Sequence, residues 1–136
     1  MICYAIIDTN VLVSSLLKKI SIPSIIVELI GNKSIIPIVS NDVVSEYISV
    51  LCRPKFGFES SDITYILGRI NSNGLYINCK KTNIDLVDET DRKFYDLYKS
   101  MELMDNVYLI TGNKKHFPNE KNIVSPSEFL EIIGSK

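Results

Sequence analysis

Histidine is almost missing from this chain. His116 stands alone, and the three cysteines, Cys3, Cys52 and Cys79, are widely spaced and form no CxxC pair. Neither a zinc site nor a disulfide framework is expected from that inventory, and a reducing, cytoplasmic setting fits it best. An excess of one charge is missing too: the formal net charge is −1. No overall basic field announces a nucleic-acid partner, and any basic surface must be local, at Lys18-Lys19, Arg53 with Lys55, Lys80-Lys81 or Lys114-Lys115. No apolar run approaches the roughly 20 residues that span a bilayer, and the opening apolar stretch carries Asp8 and Asn10 without a basic flank. Membrane insertion is therefore not expected. Internal repeats, low-complexity tracts and long linkers are also absent, and a length of 136 residues fits one domain over 1–136.

What the chain does have is alternation. Residues 4–7 read as a buried strand, followed by a helix to about Lys18 and a second helix with Ser21 as its cap, Pro23 in its first turn and Gly31-Asn32 at its end. Residues 34–39 form a short strand interrupted by Pro37. Ser40 then caps NDVVSEYISVLC, whose Val43, Val44, Tyr47, Ile48 and Leu51 recur at helical spacing. SSDITYILGRIN predicts a further helix and GLYINC a strand. After a loop at residues 80–85, DETDRKFYDLYKSMELM predicts a helix with Phe94, Leu97, Tyr98 and Met101 as one stripe. VYLITGN, then Ile123-Val124, supply two more strands, and SPSEFLEII a closing helix capped by Ser125.

Strands separated by helices imply an α/β fold with a parallel sheet covered on both faces, because parallel neighbours need helical crossovers. Ligands of such sheets bind beyond the carboxyl ends of the strands. Asp8 ends the first strand and Asn113 follows the VYLITG strand, so the two should face one crevice.

Three acids are candidates for chemistry there, and each has a plain structural explanation as well. Asp8 can cap the helix that follows it. Glu46 lies away from the centre of its apolar stripe, where a solvated glutamate is at least as good a reading as a ligand. Asp91 suits the third position of a helix capped by Asp88, yet it falls beside the apolar stripe rather than opposite it. If the three converge, like charges at close range raise one another's pKa unless a cation compensates. Oxygen ligands suit Mg2+ or Mn2+, and no histidine or cysteine is near them in sequence to favour zinc. Such a centre fits phosphoryl chemistry.

Four blocks in this order, AIIDTNVLVSSLL, IVSNDVVSEYISVLCRPKFGF, VDETDRKFYDL and NVYLITGNKKHF, resemble the PIN-domain family, nearest to the branch of toxin components of toxin-antitoxin systems. The likeness runs from about Ile6 to the end of the chain. It implies a three-layer fold with a central parallel sheet flanked by helices, and a metal-dependent ribonuclease in which Asp8, Glu46 and Asp91 are both the catalytic and the Mg2+ (or Mn2+) positions. It also implies supporting roles for Asn10, Thr111 and Asn113, an antitoxin partner and a homodimer, with the apolar surface at residues 22–29 as a contact. Where many relatives read TGD, this chain reads TGN, so one negative charge is missing and a single metal ion with slow turnover is expected.

Arg53, Lys55, Lys114 and Lys115 flank the blocks and are candidates to guide an RNA backbone. His116 is expected to serve surface or loop packing. Two rivals stay open. One is a catalytically weakened PIN module that binds RNA or a protein partner. The other is a receiver or phosphatase with a strand-end aspartate, although DTN lacks the second acid of DxDxT.

Overall fold

The protein is described from a computed structural model covering residues 2–134. Its chain opens with β1 (Cys3–Ile7), in which Ala5, Ile6 and Ile7 are fully buried. A strand this apolar must be covered on both faces, and the sheet supplies that cover by running parallel throughout. The order is β3-β2-β1-β4-β5, with β2 at Ile35–Val39, β3 at Leu75–Tyr76, β4 at Val107–Ile110 and β5 at Ile123–Val124. Register pairs Tyr4 with Ile36 on one side of β1 and with Val107 on the other.

Among the described residues six α-helices make the crossovers and the closing cover: α1 (Thr9–Leu17), α2 (Ile22–Gly31), α3 (Asn41–Leu51), α4 (Ser60–Asn73), α5 (Arg92–Ser100) and α6 (Pro126–Gly134). Their signals act as read from sequence. Ser21 accepts from Ser24 N–H at 3.3 Å and Ser40 from Val43 N–H at 3.2 Å. Ser125 and Glu128 exchange bonds at 3.1 and 2.8 Å as a capping box. The α/β architecture with a parallel central sheet is the one the alternation implies. No helix among the described residues is long and apolar enough to cross a membrane.

Three elements differ from expectation. The GLYINC strand shortens to two exposed residues because its only neighbour, β2, ends at Val39; Ile77 N–H takes the Val39 carbonyl, and no backbone of β2 remains beyond it. The helix expected over residues 88–104 starts as a 3₁₀ turn, Glu89–Asp91, and is α-helical only from Arg92 to Ser100. Asp88 causes the first change by accepting from Thr90 N–H at 3.0 Å, which tightens the turn. The second change reflects a missing apolar face beyond Met101, which still packs on the core: Leu103 is 98% exposed and Met104 is exposed too. Ile48, placed in the α3 stripe by spacing, is exposed, because Val43, Tyr47 and Leu51, with Val44 partly buried beside them, fill the line against the core.

The chain leaves β1 toward β2 and β3, and later returns to the other flank of β1 as β4. Neighbouring strands therefore depart in opposite directions at the carboxyl end of β1, the place where open parallel sheets form ligand crevices. Asp8 sits there.

Candidate metal centre

Asp8 is buried, and its backbone N–H extends the β1–β4 ladder by bonding Ile110 O at 2.9 Å. It occupies the N-cap position of α1, but its carboxylate makes no capping bond. Instead, Thr111 Oγ1 donates to Oδ2 at 2.7 Å and Asn10 Nδ2 to the same oxygen at 3.3 Å. The side chain is thus held at Oδ2 by Thr111 and Asn10, and among the described residues no side chain bonds its Oδ1. Burial raises its pKa from 3.8 to about 6; the Thr111 bond and the Asn10 backbone N–H work against this, and the charges of Asp91 and Glu46 add to it.

The three acids share one electrostatic field across three elements. Glu46 is brought in by its neighbour Tyr47, whose hydroxyl donates to the carbonyl of Ile7 and so pins α3 to the end of β1. The glutamate is not solvated as its wheel position allowed. Thr9 Oγ1 donates to Oε2, and Lys93 Nζ lies 2.6 Å from Oε1. Asp91 closes the 3₁₀ turn before α5. Its pKa is raised by burial first and by Asp88 and Glu46 after it, with the His116 contact pulling the other way.

His116, expected to serve surface or loop packing, instead faces an acid. Its Nδ1 lies 3.1 Å from Asp91 Oδ2, so the one imidazole, distant in sequence, reaches the acids after all. Among the described residues the tightest group of ligand-type atoms is Asp88, Asp91 and His116, all within 4.8 Å of one another. Asp8 and Glu46 lie outside that group. Lys93 is a second residue that sequence reading passed over.

The supporting positions form a chain of hydrogen bonds. Thr111 is fully buried and, besides binding Asp8, accepts from Asn113 N–H at 3.0 Å. Asn10 Oδ1 accepts from Gly112 N–H at 3.2 Å, which ties the end of β4 to the start of α1. Asn113 itself is exposed and helps line an open groove of about 230 Å³ with Asn10, Val11, Ser14, Gly112 and Pro126. Of the basic candidates, Lys115, Arg53 and Lys55 are exposed, with Lys55 over the ring of Phe56. Lys114 is engaged by Glu128 at 2.9 Å.

The donor chemistry fits a hard divalent cation. Burial first, and the neighbouring acids after it, raise the pKa values of Asp8 and Asp91, and a cation beside them would offset that penalty. A protein-family model described as PIN domain matches residues 4–115. The chain belongs to the PIN-domain family. Comparison with curated proteins and with solved structures gives no significant match. PIN domains are generally nucleases that use divalent metal, and in this one Asp88, Asp91 and His116 form a group of ligand-type atoms able to hold such an ion. The matched segment takes in all four sequence blocks almost to their end and stops short of α6.

Proposed function

We propose that this PIN domain is a Mg2+- or Mn2+-dependent endoribonuclease, acting as the toxin of a toxin-antitoxin pair. The observation that carries the reading is Asp8: a buried carboxylate at the sheet's switch point, with a pKa near 6, not used as a cap and in the field of two further acids. In this reading Asp8, Glu46 and Asp91 hold the ion. When bound, the ion supplies an acidified water and offsets charge growing on the phosphate oxygens. The protein's own groups do the positioning. Thr111 and Asn10 lock Oδ2 of Asp8, which leaves Oδ1 for the crevice. Lys115, Arg53 and Lys55 are free to steer an RNA backbone, whereas Lys114 must first leave Glu128. An antitoxin would cover the acidic crevice. The exposed Ile22 and Ile25 on α2 offer an apolar surface for pairing of two copies.

The test is cleavage of single-stranded RNA by the native chain, Asp8→Asn and Asp91→Asn, with and without chelator. Metal-dependent cutting that both substitutions reduce by at least about a hundredfold supports the reading. Equal behaviour of all three, unaffected by chelator, favours instead the weakened module that only binds RNA or protein; the uncharged Asn113 is the observation in its favour.

Asn113 also sets metal stoichiometry. The native chain is expected to take up one Mn2+ in calorimetry, and Asn113→Asp, which adds a carboxylate at the mouth of the groove, a second. Two tight sites in the native chain would remove Asn113 from the account.

A further inference from the structure

Both oxygens of Glu46 are already occupied. Thr9 donates to Oε2, and the Lys93 ammonium stands 2.6 Å from Oε1 with both side chains about three-quarters buried, at 22% and 26% exposure. A hydroxyl can stay on a carboxylate that also binds a metal ion. An ammonium cannot easily do so, because it and a divalent cation would then sit on one carboxylate at contact distance and repel. Lys93 has a second anchor: Nζ donates to Thr90 O at 2.9 Å, on the turn that carries Asp91. It can therefore leave Glu46 without being lost to solvent.

Resting on the metal-dependent reading above, we infer that Lys93 is the resident counter-ion of Glu46, and that an incoming divalent cation must displace it to complete the site. Lys93 is a positioning residue: it acts on Glu46, not on the reacting atoms. In the metal-free protein it keeps Glu46 turned into the crevice and neutralises its charge. It holds Glu46 in reserve and weakens metal affinity, since each binding event must break the ion pair. Two acids, Asp8 and Asp91, remain to attract the cation before the exchange.

Two measurements decide it. A crystal of the native chain loaded with Mn2+ should show the ion on Asp8 and Glu46, with Lys93 Nζ beyond hydrogen-bond distance of Glu46. In calorimetry Lys93→Met should bind Mn2+ about three- to tenfold more tightly than the native chain, while Lys93→Arg, which can keep the pair, stays near it. Thermal melting checks that both variants are folded, and the native crystal decides alone if Lys93→Met is not. Mn2+ bound at Asp8 with the Lys93–Glu46 pair intact overturns the exchange and leaves the nuclease reading standing. So does a folded Lys93→Met that binds no more tightly. A native chain that takes no Mn2+ at Asp8 overturns both.

Discussion

Asp8→Asn is expected to make the metal-free protein more stable at neutral pH while removing its activity. Burial lifts the Asp8 carboxyl to about 6 from 3.8, so the folded state binds this proton more tightly than the unfolded chain does. Stability is then lost as pH rises through that window, and above it the ionised carboxylate costs the fold about 2–3 kcal/mol. An asparagine keeps an oxygen to accept from Thr111 and carries no charge to desolvate. Chemical unfolding in chelator should place Asp8→Asn above the native chain by about 2 kcal/mol at about pH 7.5, and close to it at about pH 4. The sign would reverse if Asp8 were chiefly a structural cap. Asp91 shifts in the same direction, so its ionisation adds to the same pH dependence. A bound divalent cation should abolish the advantage, by stabilising the native chain through carboxylates that the variant lacks.

The second large effect belongs to Asp96, which is buried and does no chemistry. Its Oδ1 accepts from Thr82 N–H at 3.0 Å and from Thr82 Oγ1 at 2.7 Å, with Arg92 Nη1 3.9 Å away. Arg92 in turn holds the carbonyls of Thr82 and Ile84 and pairs with Glu89 at 2.7 Å. Together they fasten residues 77–88, which have almost no regular structure, to α5 and to the turn that presents Asp91. Asp96→Ala is expected to cost about 2–3 kcal/mol in urea unfolding, because it strips a loop of two charge-assisted bonds and leaves Arg92 without its buried partner. Asp96→Asn should recover about half of that. Cleavage measured well below the unfolding midpoint should still fall severalfold, since Asp91 follows the loop. Unchanged cleavage in a destabilised Asp96→Ala would show that the loop does not position the turn.

The layered fold was legible because its evidence is local. Buried strands, capping serines and helical spacing each lie within a dozen residues, and the crossover rule turns their alternation into a parallel sheet. Asp8 was legible for the same reason, as a carboxylate where a strand stops. Glu46 was legible only through the family resemblance, because spacing reports which face of α3 meets the sheet, and Tyr47 fills that face. What turns Glu46 inward is Thr9 and Lys93, 37 and 47 residues away. The helix over residues 88–104 is shorter than its pattern suggests because a wheel assumes a constant helical phase, and the Asp88 cap resets that phase through a 3₁₀ turn. His116 gave no periodic signal at all. A lone imidazole just beyond a strand that borders the switch point is the one hint the sequence held.

Convergence of the acids on one ion is tested most directly by anomalous scattering from a crystal soaked in Mn2+. A single peak in contact with Asp8 and Asp91, with Glu46 completing the set, is the predicted result. A peak on Asp88, Asp91 and His116 that leaves Asp8 unliganded, or no peak at either place, would contradict it.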